Sequence, residues 1–281
     1  MEQAYIVKSG DCGDSPHVAL PTVPAPEKAS VSITVQIRDG IARITLDRPP
    51  LNVLDVEILR RLNDALRECD ARSIRVVVLS SALPRSFSAG VEVRDHKAGR
   101  LEAMLSEVRE NARLLLTLKP VTIAAIHGST VGGGAEIALL CDVILAGDDT
   151  VFGFPEIKLG AFPPVAAACL AEICGGPRAM QLLLGESVTA ATAETFGLVS
   201  QVVPTAQLPE TVDRMAAELA ARSGVALHAI TRATRALRAP ALLQRLDAAI
   251  ATYRATVGPS RDAEEGINAF LEKRAPAWSH R

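Results

Sequence analysis

Two glutamates of this chain stand in settings that suit proton transfer. Glu136 closely follows three glycines in the segment GSTVGGGAEIALLCD, and Glu156 follows Pro155 among the apolar residues of VFGFPEIKLG. Apolar surroundings raise the pKa of a carboxyl group, because burial penalises its charged form, and a raised pKa suits it to acid–base work near neutral pH. Taken singly, Glu136 is explained as well by complementing a helix dipole, and Glu156 by facing solvent on a loop.

Two glycine-containing turns could supply backbone N–H groups beside these carboxyls. Residues 132–134 form a Gly run at the start of a helix, where free N–H groups point outward and favour an anion or a developing oxyanion. The Ser-Ala-Gly turn at residues 88–90 follows the strand RVVVLS and could supply a second donor. In isolation, an ordinary tight turn and an ordinary loop explain both segments. The absence of G-x-G-x-x-G argues against a dinucleotide site.

The elements that must position these residues are strands alternating with helices. From Val31, VSITVQI and IARITL flank Asp39-Gly40, which predicts a β-hairpin with a tight primed turn. Next come a helix in DVEILRRLNDALRECD and a strand in RVVVLS, then a helix in LEAMLSEVRENARLLLTL and a strand in VTIAAI, and finally a Gly-led helix and a strand in CDVILAG. This order indicates an α/β fold with right-handed crossovers.

The chain divides into three parts by composition. Residues 1–29 mix Pro, Gly, Ser and Asp without periodicity, which predicts a flexible N-terminal arm. Residues 30–203 carry the alternating pattern and form the predicted core domain. Residues 204–281 are rich in Ala and Leu at helical spacing and predict a helical C-terminal region.

Composition excludes several classes of function. A formal net charge of −2 and 3% aromatic residues give neither a basic field nor a stacking surface for nucleic acid. The sequence shows no apolar run long enough to span a bilayer, which predicts no membrane partner. The first residues have no basic start followed by an apolar run, and the five cysteines include no CxxC pair. These features favour reduced thiols and a cytoplasmic location.

Six segments in a fixed order resemble the enoyl-CoA hydratase/isomerase family, the crotonases. They are RPPLNVL, FSAGVEV, GSTVGGGAEIALLCD, FGFPEIKLG, GESVTAATAETFGLVSQVV and EGINAFLEKRAPAW, and the resemblance spans about Ile33 to Trp278. It implies an α/β protein with the crotonase (ClpP/crotonase-like) fold, in which ββα units repeat and a helical C-terminal region follows. It also implies an acyl-CoA substrate, assembly as a homotrimer or homohexamer, and no cofactor or metal, because CoA is part of the substrate.

The resemblance assigns roles to individual residues. It implies an oxyanion hole made by the N–H groups of Ala89 and Gly133, and it places the segment Ala89 to Glu92, with Gly90 and Val91, beside the CoA arm. Hydratases of the family carry two glutamates, which match Glu136 and Glu156. The implied function is hydration or dehydration of an α,β-unsaturated acyl-CoA, in which Glu136 activates water and Glu156 delivers a proton to the α-carbon.

The chain departs from the common hydratase pattern beside Glu156. Linear-enoyl hydratases usually continue with a Pro-Gly-Ala-Gly-Gly-like turn, whereas this chain reads AFPPVAAAC with Pro164 in place of a glycine. RPPLNVLD, FSAGVEVRDH and FPPVAAA together are similar to the branch that hydrates cyclic dienoyl-CoA esters, as in cyclohexa-1,5-diene-1-carbonyl-CoA hydratases. A straight-chain acyl group is therefore not the default expectation.

Two alternative functions stay open at this point. One is an enoyl-CoA double-bond isomerase, since such enzymes commonly keep only the second glutamate. The other is a non-catalytic relative that binds thioesters or RNA through the basic residues of TRATRALRAP, although a solvated helix face explains that segment better.

The remaining polar candidates are interpreted as structural. His127 is expected as a strand-end residue, and no GxSxG elbow surrounds Ser129. His96, together with its neighbours Arg94 and Asp95, is expected in a surface cluster. The cysteines at positions 141, 169 and 174 are expected as small core residues.

Overall fold

The fold is described from a computed structural model that covers residues 32–71 and 73–281. The predicted N-terminal arm, residues 1–29, lies outside the described residues. The proposed division at residue 203 stays a prediction.

A β-hairpin begins the described chain. Strands β1 (Ser32–Arg38) and β2 (Ile41–Asp47) pair antiparallel with Arg38 opposite Ile41, so that only two residues form the turn. Asp39 and Gly40 have φ angles of 53° and 80°, the left-handed conformation of a primed turn. The hairpin predicted from Asp-Gly is therefore confirmed.

Two sheets are built from repeated ββα units. Beyond the hairpin, the strands are β3 (Val76–Ser81), β4 (Ser86–Ser88), β5 (Val121–Ile126), β6 (Ser129–Val131), β7 (Val143–Gly147), β8 (Val151–Gly153), β9 (Ser187–Thr189) and β10 (Gln201–Val203). The larger sheet has the order β1-β2-β3-β5-β7-β10 and the smaller one β4-β6-β8-β9. In the units that begin with β3, β5 and β7, the first strand joins the larger sheet and the second joins the smaller sheet before a helix follows, whereas both strands of the N-terminal unit, β1 and β2, belong to the larger sheet.

The helices lie between the strands and then continue alone. They are α1 (Val56–Ala71), α2 (Leu101–Thr117), α3 (Gly133–Leu139), α4 (Pro164–Cys174), α5 (Gly176–Leu183), α6 (Ala190–Thr195), α7 (Leu208–Ala220), α8 (Gly224–Thr252) and α9 (Arg261–Glu272). The segment after Val203 is helical, as predicted. None of the helices in the described part of the chain is long and apolar enough to cross a membrane.

The central strand segments are continuous apolar runs because they lie in the core. Every residue of β5 is buried, because this strand lies inside the larger sheet with parallel neighbours β3 and β7 on its two sides. Helices α1, α2, α4 and α8 pack with one another, α1 against α2 and α8 against both α2 and α4, and bury leucines such as Leu62, Leu105 and Leu246. Helix α3 packs against β4 and β6, and α6 packs against β8 and β9, the smaller-sheet strands from which the turns of the candidate site emerge.

Candidate active site

A cavity of about 790 Å³ opens beside the turn that follows β4 and the start of α3. Its wall includes both predicted glutamates, Glu136 and Glu156, and four of the five other predicted residues: Ala89, Gly90, Val91 and Gly133. Glu92, the fifth, is not among the lining residues; its side chain instead accepts a hydrogen bond of 3.2 Å from the Arg94 N–H. The sequence-predicted residues therefore converge on one cavity, with Glu92 outside it.

The turn at residues 88–91 lies directly against the glycine run at residues 132–134. A Cβ atom on Gly133 would lie 2.6 Å from Val91 Cγ2, and one on Gly134 would lie 2.5 Å from Ser88 Cβ. Gly90 has a φ of 93°, and a Cβ there would meet the Gly133 nitrogen at 3.3 Å. Glycine is required in this contact because the two backbones leave no room for side chains.

Two backbone N–H groups at this contact are unpaired. Val91 pairs with Leu54 as an isolated parallel bridge, in which the Leu54 N–H donates to the Gly90 carbonyl and the Glu92 N–H to the Leu54 carbonyl. The Val91 N–H itself has no acceptor within residues 32–71 and 73–281, and neither does the N–H of Gly133 at the first position of α3. Both residues line the cavity, so their N–H groups are the candidate donors for a ligand.

The assignment of the first donor to Ala89 is wrong in this structure. The Ala89 N–H donates to the Leu51 carbonyl at 2.9 Å and is not free for a ligand. The physical reason is that Gly90, with a φ of 93°, interrupts the extended backbone, so that the Ala89 N–H is directed to Leu51 while Val91 lies opposite Leu54. The bond to Leu51 directs the Ala89 N–H away, and the Val91 N–H takes the position that was predicted for Ala89.

Glu136 is buried and held by a helix N-terminus. Its side chain is 4% exposed, and its Oε1 accepts hydrogen bonds from the N–H groups of Val165 at 2.7 Å and Ala166 at 3.0 Å. These are the first free donors of α4, because Pro164 at the start of that helix has no N–H. Burial raises the pKa of Glu136, and the two hydrogen bonds oppose part of that rise.

Glu156 has no such support. It lies in a short 3-10 helix (Pro155–Leu159), and its Oε2 is buried without a hydrogen-bond partner among the described residues. Its Oε1 occupies space that Gly132 leaves open, since a Cβ on Gly132 would lie 2.7 Å from that oxygen. Burial is the main cause that raises the pKa of Glu156, and the charge of Glu136 raises it further.

The environments of the two carboxyls differ, and this difference determines which of them holds a proton near neutral pH. Glu136 has two N–H donors that stabilise its charged form, whereas Glu156 is desolvated and feels a neighbouring negative charge. Glu156 therefore holds the proton more tightly than Glu136, and near neutral pH the pair favours one carboxylate and one carboxylic acid. That combination provides one base and one acid in a single cavity.

The structure confirms the prediction for His127 and contradicts the prediction for His96. The Nε2 of His127 lies 2.6 Å from the Leu83 carbonyl oxygen, as expected for a hydrogen-bonded strand-end residue. His96 was expected in a surface cluster but lines the cavity, where its Nδ1 lies 2.8 Å from the hydroxyl of Tyr253. Asp95, also assigned to that cluster, is fully buried and accepts the Val56 N–H.

Tyr253 is a cavity residue that sequence reasoning missed. It begins a π-helical turn (Tyr253–Val257) at the end of α8, and its side chain is 1% exposed. No local pattern marks it, because its partners come from distant parts of the chain. The predicted cysteines at 141 and 169 are buried core residues as expected, whereas Cys174 is half-buried.

Comparison with known proteins decides the family. The family model described as enoyl-CoA hydratase/isomerase matches residues 36–281. The chain belongs to the enoyl-CoA hydratase/isomerase family. The resemblance inferred from six motifs is thereby confirmed.

Individual members of the enoyl-CoA hydratase/isomerase family match most of the chain. It is 31% identical to a probable mitochondrial enoyl-CoA hydratase of Dictyostelium discoideum, over 88% of this chain and 91% of that protein. It is 34% identical to the cyclohexa-1,5-dienecarbonyl-CoA hydratase of Thauera aromatica, over 87% and 95%. A crystal structure of an enoyl-CoA hydratase from Mycobacterium avium subsp. paratuberculosis matches with a TM-score of 0.80 at 29% identity, covering 88% and 98%. The crotonase fold and an enoyl-CoA hydratase-type enzyme are confirmed.

The raised pKa values predict how stability depends on pH. A carboxyl whose pKa is higher in the folded chain than its ordinary 4.5 binds more protons when folded, so the free energy of unfolding falls as pH rises from about 4.5 into the neutral range. We expect the double variant Glu136→Gln, Glu156→Gln to lose this dependence, which amounts to on the order of 1 kcal/mol per pH unit for each proton involved.

Urea unfolding at about pH 5.5, 7 and 8.5 measures this difference. Glu218→Gln, on the exposed face of α7, is the matched control and should keep the wild-type slope. Parallel slopes for the double variant and the wild type would show that the two carboxyls titrate normally.

Proposed function

We propose that the chain catalyses the reversible hydration of an α,β-unsaturated acyl-CoA thioester. The observation that carries this proposal is the convergence, in one cavity, of two glutamates with raised pKa and two unpaired backbone N–H groups. The family membership of the chain supports the same reaction class.

The unpaired N–H groups of Val91 and Gly133 would receive the thioester oxygen. When the water oxygen bonds to the β-carbon, the electrons of the conjugated double bond shift towards the carbonyl, and negative charge develops on that oxygen. Two donors fixed by the backbone need no rearrangement as the charge develops. Loss of one such donor typically costs a factor of about 10² to 10³ in rate.

The glutamates would divide the two proton transfers. Glu136, which its two N–H partners stabilise in the charged form, accepts a proton from water as the water oxygen bonds to the β-carbon. Glu156, which holds its proton more tightly, donates that proton to the α-carbon. The sum is the addition of one water molecule, after which a proton passes from Glu136 to Glu156, directly or through solvent, and restores the starting pair. Each step reverses for dehydration. The scheme uses no metal or redox cofactor.

The acyl wall supports a compact, unsaturated ring as substrate. Phe162, Pro163 and Pro164 line the cavity beside the glutamates, so the segment that departs from the common hydratase pattern does face the candidate acyl pocket. Prolines hold this wall in a fixed conformation, which favours a rigid acyl group over a flexible chain. The match to the Thauera aromatica hydratase over 87% of the chain supports the same substrate class.

The CoA portion would bind at the open side of the cavity. Lys158 and Lys273 are exposed and contribute to its rim, where ammonium groups favour phosphates. Assembly as a homotrimer or homohexamer and a cytoplasmic location stay proposals. The free thiols at positions 69, 141, 169 and 174 suit a reducing compartment.

A paired substrate assay tests the proposed reaction. The purified protein is incubated with crotonyl-CoA and with cyclohexa-1,5-diene-1-carbonyl-CoA, and ultraviolet absorbance and mass spectrometry follow the gain of one water. We expect faster hydration of the cyclic ester, because the proline wall suits a rigid ring. Faster hydration of crotonyl-CoA would contradict the cyclic assignment, and no hydration of either would contradict the proposed function.

Variants of the two glutamates separate a hydratase from an isomerase. Glu136→Gln keeps the side-chain size and removes the base, so we expect hydration to fall by about 10² or more. An isomerase that uses Glu156 alone would keep most of its rate in this variant, and a non-catalytic binding protein would show no rate to lose. Glu218→Gln controls for the loss of a carboxylate elsewhere. Unchanged hydration by Glu136→Gln would contradict the assigned role.

A further inference from the structure

A neutral polar pair lies in the wall of the cavity and has no part in the reaction scheme above. His96 is the last residue of the 3-10 helix (Val93–His96) that follows the donor turn, and Tyr253 begins the π-helical turn after α8. The Tyr253 hydroxyl and the His96 Nδ1 lie 2.8 Å apart although 157 positions separate the two residues in the chain. Both side chains line the cavity together with Glu156.

The surroundings of this pair are apolar. The Phe162 ring lies 5.1 Å from the Tyr253 ring, and cavity-lining residues of α2, including Met104 and Val108, are apolar as well. A buried hydroxyl and imidazole cost free energy unless they are hydrogen-bonded, and here they satisfy one another only in part. Two apolar side chains of similar size would fill the same volume without that cost, so the polar pair is not needed for packing.

Both members of the pair are uncharged at neutral pH. Burial lowers the pKa of His96 to about 4. Burial also raises the pKa of Tyr253, and the negative charges of Glu156 and Glu136 raise it further. Tyr253 lines the same cavity as Glu136 and Glu156, so the pair borders the space in which the reaction is proposed to occur.

The pair has hydrogen-bonding capacity to spare in either tautomer of His96. If Nδ1 accepts from the tyrosine, the phenol oxygen keeps lone pairs that can accept from a ligand hydroxyl. If Nδ1 carries the hydrogen and donates, the phenol O–H is free to donate to a ligand oxygen. The pair can therefore bind a hydroxyl or a carbonyl group, but the negative charge on the nearby glutamate pair opposes a further carboxylate.

We propose that His96 and Tyr253 form a specificity element for acyl groups that carry a neutral hydroxyl or oxo oxygen beyond the reacting double bond. This inference rests on the proposed function, because it assumes that the acyl group occupies the cavity. Plain alkyl chains leave the pair without a ligand partner, and dicarboxylic acyl groups meet the negative field. The element therefore selects against both plain alkyl and dicarboxylic acyl groups.

A matched series of six-carbon substrates tests this element: hex-2-enoyl-CoA, 6-hydroxyhex-2-enoyl-CoA, 6-oxohex-2-enoyl-CoA and hex-2-enedioyl-CoA. The measured quantity is kcat/KM for each ester relative to hex-2-enoyl-CoA. We expect the hydroxy or the oxo ester to be preferred by up to about tenfold, the ratio that one net hydrogen bond gives, and the dicarboxylic ester to be the poorest. In Tyr253→Phe, the kcat/KM of the hydroxy and oxo esters relative to hex-2-enoyl-CoA should fall close to one.

Met104→Leu is the matched control, because it changes an apolar residue of the same cavity without removing a hydrogen bond. It should retain the preference of the wild type. The proposal is overturned if the wild type shows no preference for either oxygen-bearing ester. It is also overturned if Tyr253→Phe and Met104→Leu change the kcat/KM ratios to hex-2-enoyl-CoA equally.

Binding of saturated esters separates this proposal from the proposed function. Hexanoyl-CoA and 6-hydroxyhexanoyl-CoA cannot be hydrated, so calorimetry gives their Kd ratio even for a protein without hydratase activity. A Kd ratio that favours the hydroxy ester and is lost in Tyr253→Phe supports the specificity element whether or not hydration occurs. Equal Kd values, together with equal kcat/KM values, would overturn it while leaving hydration intact.

Discussion

The close approach of two backbone turns is the constraint on which the rest of this structure depends. Residues 88–91 lie against residues 132–134 at distances that exclude a Cβ on Gly133 and Gly134. The contact places the unpaired N–H groups of Val91 and Gly133 on the same cavity. The repeated ββα units provide it, since β4 and β6 pair in parallel within the smaller sheet and each leads into one of the turns.

Burial of two carboxyl groups is the second constraint, and it links the reaction to the fold. A desolvated carboxylate destabilises the folded chain unless donors compensate for the lost water. The N-terminus of α4 compensates at Glu136, and because Pro164 has no N–H, the first donors available are those of Val165 and Ala166. At Glu156, Oε2 has no hydrogen-bond partner among the described residues, and burial together with the charge of Glu136 favours the protonated form. The same proline segment forms part of the cavity wall proposed to contact the acyl group. A change in this segment would therefore alter both the shape of the acyl pocket and the position of Glu136.

The sequence predicts much of the fold because its signals are local. Asp39-Gly40 predicts the hairpin turn, and the glycine run followed by Glu136 predicts a helix start that offers free donors. The choice between Ala89 and Val91 as a donor is different, because it depends on pairing with Leu51 and Leu54 across the chain. This pairing decides which N–H groups remain without an acceptor, and the turn residues alone do not reveal it.

The association of His96 with Tyr253 is still less predictable from sequence. Their hydrogen bond joins the segment after the donor turn to the end of a 29-residue helix, α8. The π-helical turn that presents Tyr253 has no sequence signature, and a single tyrosine at the end of an amphipathic helix is commonly a packing residue. Only the structure shows that this tyrosine lines the same cavity as Glu136 and Glu156.

The central claim is that the Val91 and Gly133 N–H groups polarise a thioester carbonyl in this cavity. Infrared difference spectroscopy of a carbonyl-13C-labelled enoyl-CoA bound to Glu136→Gln tests it directly, because this variant should hold the ester without converting it rapidly. We expect a C=O stretching frequency below that of the free ester, since two hydrogen bonds weaken the carbonyl double bond. A bound ester whose carbonyl frequency equals that of the free ester would contradict the claim.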